Sequence, residues 1–268
     1  MMFKLKRPSS WTKKKTTRLV VLDPQNPTFS QPTVEKHFQD AWKHPKKRKP
    51  KVHAIFEIIL TEEMLVPYLR YRALVEISRV PRHANEQLLF HGTNRNCLLG
   101  DGKKRTRLCN TSRCLLCAVI RNSFDVAKCG KRHRFRRFGS GIYTTACSSK
   151  ADDYYAGVRN SPFRAMLVNR VVVGNPLVRQ HNAEDLTGLP NGYHSVVGVP
   201  GADLNYGETV VYSNDAIRPA YLIIYAADPP TEVHVDLRLM ISALFKTPIN
   251  SSLPATDSSL SATVKPVH

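Results

Sequence analysis

The sequence predicts an α+β domain. Three observations lead to that class. Runs of branched and aromatic residues of strand length alternate with single helical patterns. Long loops, rather than compact strand–helix–strand crossovers, separate them. No Gly-x-Gly-x-x-Gly opens a helix behind a strand: Gly100-Asp-Gly102 runs into Lys-Lys-Arg and has no third glycine. Gly-x-x-x-x-Gly-Lys-Ser/Thr is absent as well, so dehydrogenase and P-loop architectures are poor readings. No internal repeat is apparent.

Taken in order, residues 1–51 are basic, Pro-containing and weakly periodic, and read as a disordered arm. The arm ends in His44-Pro-Lys-Lys-Arg-Lys-Pro-Lys51, whose Lys46-Lys-Arg-Lys49 core reads equally as a nuclear localisation signal or as a solvated charge run. Order is expected from Val52. His53 to Leu60 reads as a strand, and Thr61-Glu-Glu-Met caps a helix carrying Tyr68, Tyr71, Leu74 and Val75 on one face, with Pro67 tolerable near its start. Asn85 to His91 reads as a strand halted by Gly92. A Cys- and Arg-rich insert, 97–138, contains a helix from Leu115 to Phe124. Ser148 to Tyr155 is a short helix and Arg164 to Gly174 a strand, while Pro176 to Pro200 is mainly loop. Two strands follow at Glu208–Tyr212 and Tyr221–Ala226. The folded domain is expected over 52–246, and the Ser/Thr/Pro-rich tail 247–268 is expected to be disordered.

The chain has 268 residues, which suits one substantial domain with extensions. Hydrophobic residues make up 42%, ordinary for a globular protein, but 40 Lys plus Arg against 21 Asp plus Glu give a net charge of +19. That excess favours anionic partners: nucleic acid, acidic protein segments or phosphate-bearing cofactors. Ala54 to Leu60 is too short to span a bilayer and is interrupted by Glu57, so no membrane role is expected. The N-terminus lacks a secretory pattern; acidic residues are absent before Asp23, so a transit peptide stays open. A reducing compartment, nuclear or otherwise cytoplasmic, is expected, where the six cysteines are thiols or metal ligands before they are disulfides.

Three segments stand out: Leu88-Leu-Phe-His-Gly-Thr93; Gly139-Ser-Gly-Ile-Tyr143 with Ser148-Ser-Lys-Ala-Asp-Asp-Tyr154; and Asn205-Tyr-Gly-Glu-Thr-Val-Val-Tyr212. Together they resemble the signature of the poly(ADP-ribose) polymerase catalytic domain, in which His, Tyr and Glu from separate strands line an NAD+ cleft. Asn85 to Phe90, His194 to Pro200 and Pro219 to Tyr225 extend the likeness and are similar to the tankyrase branch. Any one motif is weak, since a lone His, Tyr or Glu beside a strand is usually structural. Three in family order are specific. The resemblance covers roughly two-thirds of the chain and implies the ADP-ribosyltransferase fold, two packed, mainly antiparallel β-sheets with flanking helices.

It also implies chemistry. Breaking the nicotinamide–ribose bond builds positive charge on the sugar, as in glycoside cleavage. A carboxylate at the ribose hydroxyls binds the sugar and favours that cation. The resemblance gives this role to Glu208, at the nicotinamide-ribose 2′-OH. Tyr143 and Tyr154 match the two tyrosines that stack on the nicotinamide ring. His91 matches the adenosine-ribose contact, and Gly92, beside Thr93, offers its backbone N–H and C=O to the nicotinamide amide. The activity implied is transfer of ADP-ribose from NAD+ to an acceptor, with release of nicotinamide. A catalytically silent NAD+ or ADP-ribose-binding module is the alternative.

The sequence departs from the family where its nicotinamide-binding Ser falls on Ala151, unless Ser148 or Ser149 substitutes. One neutral hydrogen bond of this kind is worth about 0.5–1.5 kcal/mol. Gly207 and Thr209 flank Glu208 where bulkier residues are common. Cys97, Cys109, Cys114 and Cys117, with intervals of eleven, four and two residues, could form a tetrahedral structural zinc site; Cys129 or His133 could replace a member, and four ordinary thiols are the other reading. Tankyrases carry a zinc site elsewhere, after the Tyr motif. The basic run Lys128–Arg137 falls in the family's donor loop, where it meets the NAD+ pyrophosphate, an acidic target or nucleic acid, or is simply solvated.

Overall fold

The computed structural model describes residues 16–22, 31–79, 83–128, 136–158 and 160–226. All of them lie in the first of two units into which the chain divides, Met1–Ala227. The expected domain end at 246 and the tail 247–268 lie outside the described residues, as does most of the basic run.

The strand-forming patterns assemble into two sheets. β1 (Arg18–Val21), β2 (Lys51–Ile59), β3 (Glu86–His91), β5 (Phe163–Val172) and β9 (Ile217–Ala226) form a five-stranded sheet in the order β1-β2-β9-β5-β3, antiparallel throughout. β4 (Ile142–Thr144), β6 (Pro176–Arg179), β7 (Ser195–Gly198) and β8 (Glu208–Val211) form a four-stranded sheet in the order β4-β8-β7-β6, in which only β6 and β7 are parallel. Helices flank them: α1 (Gln31–Asp40), α2 (Glu62–Ile77), α3 (Leu115–Asn122) and α4 (Ser148–Ala151). This is the expected α+β class of two mainly antiparallel sheets with helices around them.

β9 lies at the centre of the larger sheet, and nine of its ten residues are buried. Its alternation feeds two cores. Leu222 and Ile224 join Phe56, Leu167, Leu116 and Ile142 in a cluster that reaches α3 and the second sheet. Tyr221, Ile223 and Tyr225 point the other way and meet Phe38 and Trp42. Each aromatic or aliphatic side chain so buried contributes about 1.5–3 kcal/mol.

Two expectations need correction. The arm is not disordered through residue 51: β1 pairs with β2, and α1 covers the second core. Val34, Phe38 and Trp42 recur at four-residue intervals, a narrow apolar stripe diluted by Lys, His and Gln. Phe38 is fully buried, with its ring centroid 5.1 Å from Tyr225 and 5.5 Å from Trp42. On α2, Tyr68 and Val75 are buried but Leu74 is 67% exposed. Seven residues return almost to the same face, whereas Leu74 lies about 120° around from Tyr68 at 3.6 residues per turn. The stretch 176–200 is mainly loop, as expected, and also holds the short strands β6 and β7.

Candidate active site

The two sheets meet where the three motifs end. Phe90 N–H donates to Thr145 O at 2.8 Å, and Thr145 N–H returns to Phe90 O at 3.1 Å, which splices the end of β3 to the end of β4. The next residue, His91, thereby faces β4 and places Nδ1 2.8 Å from Tyr143 O. Across the second sheet Tyr143 pairs with Val210, two positions from Glu208, so Tyr143 and Glu208 share a sheet face. Gly92 packs on α4: a Cβ there would stand 1.8 Å from Ala151 O and 3.3 Å from Tyr154 Cβ. Only glycine allows that approach. Thr93 is buried beside it. The six residues named from the motifs are thus neighbours at one junction.

Their settings differ. Burial pushes the His91 pKa down, partly opposed by its bond to Tyr143 O, so the ring is neutral with Nδ1–H donating and Nε2 left as acceptor. Tyr143 is anchored at its hydroxyl, which donates to Gly139 O at 2.8 Å and accepts from Phe138 N–H at 2.9 Å. Burial raises its pKa to about 12, and the charge of Glu208 adds to the shift. Tyr154 is half exposed, and burial and then Glu208 raise its pKa too. Phe124, following α3, meets the His91 ring edge-on at 5.1 Å.

Glu208 is 7% exposed at the start of β8. Lys150 Nζ lies 2.7 Å from Oε1 and also donates to Tyr206 O at 2.9 Å. Arg137 Nε approaches Oε2 to 3.5 Å, beyond a good hydrogen bond, and Oε2 is otherwise a buried acceptor with no hydrogen-bond partner. Arg137 itself spans to Asp203 O at 2.7 Å and to Asn182. Neither cation stands out from spacing alone. Lys150 adjoins Ala151, and Arg137 ends the basic run of which 129–135 lie outside the described residues.

Ser148 and Ser149 do not replace the absent serine. Ser148 Oγ donates to Phe38 O at 2.8 Å. Ser149 Oγ accepts from the backbone N–H groups of Lys43 and His44, both at 3.0 Å, and meets His44 Nδ1 at 2.8 Å. The Ala151 side is apolar, buried in the cluster of Phe38 and Phe90. The segment after α1 binds this region closely: Lys47 Nζ pairs with Asp152 at 2.9 Å and with Asp153, and His44 stacks on Tyr206 with centroids 4.3 Å apart.

Apart from this cleft, the structure gathers Cys97, Cys109, Cys114 and Cys117, with all four sulfurs within 4.8 Å of one another. Cys129 and His133 lie outside the described residues. Among the described residues, no helix is long and apolar enough to cross a membrane.

In comparison with protein families, the family described as poly(ADP-ribose) polymerase catalytic domain matches residues 32–203, more than half of the chain. It begins within α1, so the family domain includes the helix that composition alone had assigned to the arm.

Proposed function

The chain belongs to the poly(ADP-ribose) polymerase catalytic domain family, and from that premise we propose that it is an NAD+ ADP-ribosyltransferase acting on a protein acceptor. The observation that carries this reading is Glu208 Oε2, a buried acceptor without a hydrogen bond, on the sheet face it shares with Tyr143. Such an atom costs stability unless a ligand hydroxyl completes it.

In the proposed reaction the bond between ribose C1′ and the nicotinamide nitrogen breaks, and its electron pair leaves with nicotinamide. The cationic ring of NAD+ becomes neutral as positive charge moves onto the sugar. Glu208 stands against that charge, with Lys150 holding Oε1 so that Oε2 is turned to a ribose hydroxyl. An acceptor oxygen then bonds to C1′ and sheds its proton, for which Oε2 is the base. In this reading Tyr143, immobilised at its hydroxyl, and the half-exposed Tyr154 stack on nicotinamide, about 1 kcal/mol each. Gly92 offers backbone N–H and C=O to the amide, beside Thr93, and neutral His91 offers Nε2 to the adenosine ribose.

The test is automodification with labelled NAD+, comparing wild type with Glu208→Gln. We expect labelled wild type and a loss of about 10²–10³-fold in rate in the variant, the usual cost of a transition-state electrostatic contact. A ladder of products would mean polymer and a single shift one unit. The second reading, a silent binding module, is favoured by the missing Ala151 hydroxyl with both adjacent serines committed elsewhere. It wins if wild type takes no label while NAD+ still raises the melting temperature.

A further inference from the structure

Outside the cleft, the most concentrated chemistry is the four-cysteine cluster. Cys97 lies on the segment leaving β3, Cys109 on the following basic loop, Cys114 at the cap of α3 and Cys117 in its first turn. These positions are distant in sequence, yet Cys97 Sγ stands 3.7 Å from Cys114 Sγ and 3.6 Å from Cys117 Sγ. Four thiolates at about 2.3 Å from a tetrahedral zinc lie about 3.8 Å from one another. The spacing is therefore that of a ligand shell. Cys114 and Cys117 are fully buried. Asn96 N–H donates to Cys114 Sγ at 3.3 Å, the kind of outer hydrogen bond that orients a metal-bound thiolate. Among the described residues the cluster contains four sulfurs and no His, Asp or Glu, a full tetrahedral set that suits a structural rather than a catalytic ion. A zinc tetrathiolate carries a net charge of −2, and the surrounding stretch is rich in cations, from Lys103, Lys104, Arg105 and Arg107 to Arg113 and Arg121.

We propose that Cys97, Cys109, Cys114 and Cys117 hold one structural zinc ion that clamps the end of β3 to α3 and so fixes the setting of His91. The connections support the clamp. Leu116 N–H donates to Asn94 O at 2.9 Å, and Arg95, with no exposure, bonds Leu99 O at 2.9 Å and Asp101 at 2.6 Å, so the chain from Thr93 to Asp101 is held on both sides of Cys97. At the other end of α3, Phe124 meets the His91 ring. Zinc thus ties down both the strand that carries His91 and the helix whose end abuts it. Cys147 Sγ instead meets Ser149 Oγ at 3.2 Å and takes no part.

Metal content of the purified full chain, measured by elemental analysis, tests this without NAD+, so its outcome is separate from transfer activity. We expect one zinc per chain, released by a mercurial thiol reagent. Cobalt substitution should give tetrahedral ligand-field bands and thiolate-to-metal charge transfer. Cys109→Ser, in the partly exposed loop, should retain less than a tenth of the zinc, while Cys147→Ser keeps it all. Zinc removal from wild type should lower the melting temperature by several degrees and weaken NAD+ binding several-fold, with readdition restoring both. Should Cys109→Ser fail to fold, the cobalt spectrum of wild type decides alone. A metal-free chain that gains no cobalt bands, a disulfide among these cysteines under reducing conditions, or iron in place of zinc would each overturn the assignment.

Discussion

Glu208 is held asymmetrically, one oxygen bonded closely by Lys150 and the other without a hydrogen bond, approached by Arg137 only to 3.5 Å. A buried carboxylate needs a cation to offset its desolvation, and Lys150 supplies one without consuming Oε2. His91 is its counterpart, a ring kept neutral by burial against the opposing pull of the Tyr143 carbonyl. The sign of its pH effect follows. Because the folded pKa lies below the unfolded value of about 6.5, the unfolded chain takes up the proton first. Stability linked to His91 is complete above about pH 6.5 and is lost as pH falls towards the lowered value. Melting temperatures from pH 8 to pH 5.5 should therefore fall less steeply in His91→Gln than in wild type, and parallel slopes would refute this. His194, also lowered by burial, contributes acid sensitivity to both proteins. His91, Tyr143 and Glu208 were legible in the sequence because their motifs are contiguous text. Lys150 and Arg137 were not, since their role depends on where a long side chain ends rather than on a residue interval.

The N-terminal elements show what composition conceals. A stretch rich in Lys, His and Pro looked solvated, yet Phe38 and Trp42 from this stretch complete a core, and Ser149 is spent on its backbone. The charge belongs to one side of a helix and the packing to the other. Removing residues 1–50 should accordingly prevent folding or lower the melting temperature by well over ten degrees, since several buried side chains at about 1.5–3 kcal/mol each go with them. A fully folded, NAD+-binding fragment 51–268 would contradict this. The strands β2, β3 and β5 were readable from runs rich in branched and aromatic residues, and α3 from its own pattern. β6 and β7 were hidden because four-residue strands between turn-forming residues carry too little periodicity.

At the scale of the molecule, the +19 charge is unevenly employed. Within Lys46–Lys49, Lys47 turns inward to Asp152 and Asp153 while Lys46, Arg48 and Lys49 stay exposed. Reversing those three to Glu should weaken binding to a polyanion such as duplex DNA or heparin and flatten its salt dependence, with little change in stability. Lys47→Ala should do the opposite, lowering the melting temperature while leaving the salt slope within about one phosphate contact. Equal effects from both variants would refute the division. The order β1-β2-β9-β5-β3 has a consequence for synthesis. β9 is the last described strand to be made, yet it belongs between β2 and β5. On the ribosome those two strands emerge with their facing edges bare, and at about 5–20 residues per second the roughly 54 residues from the end of β5 to the end of β9 occupy about 3–11 s. Through that interval Ile55, Phe56, Met166 and Leu167 lack their β9 partners, so a nascent chain stalled within β9 is a natural client for chaperones and, without them, a seed for aggregation.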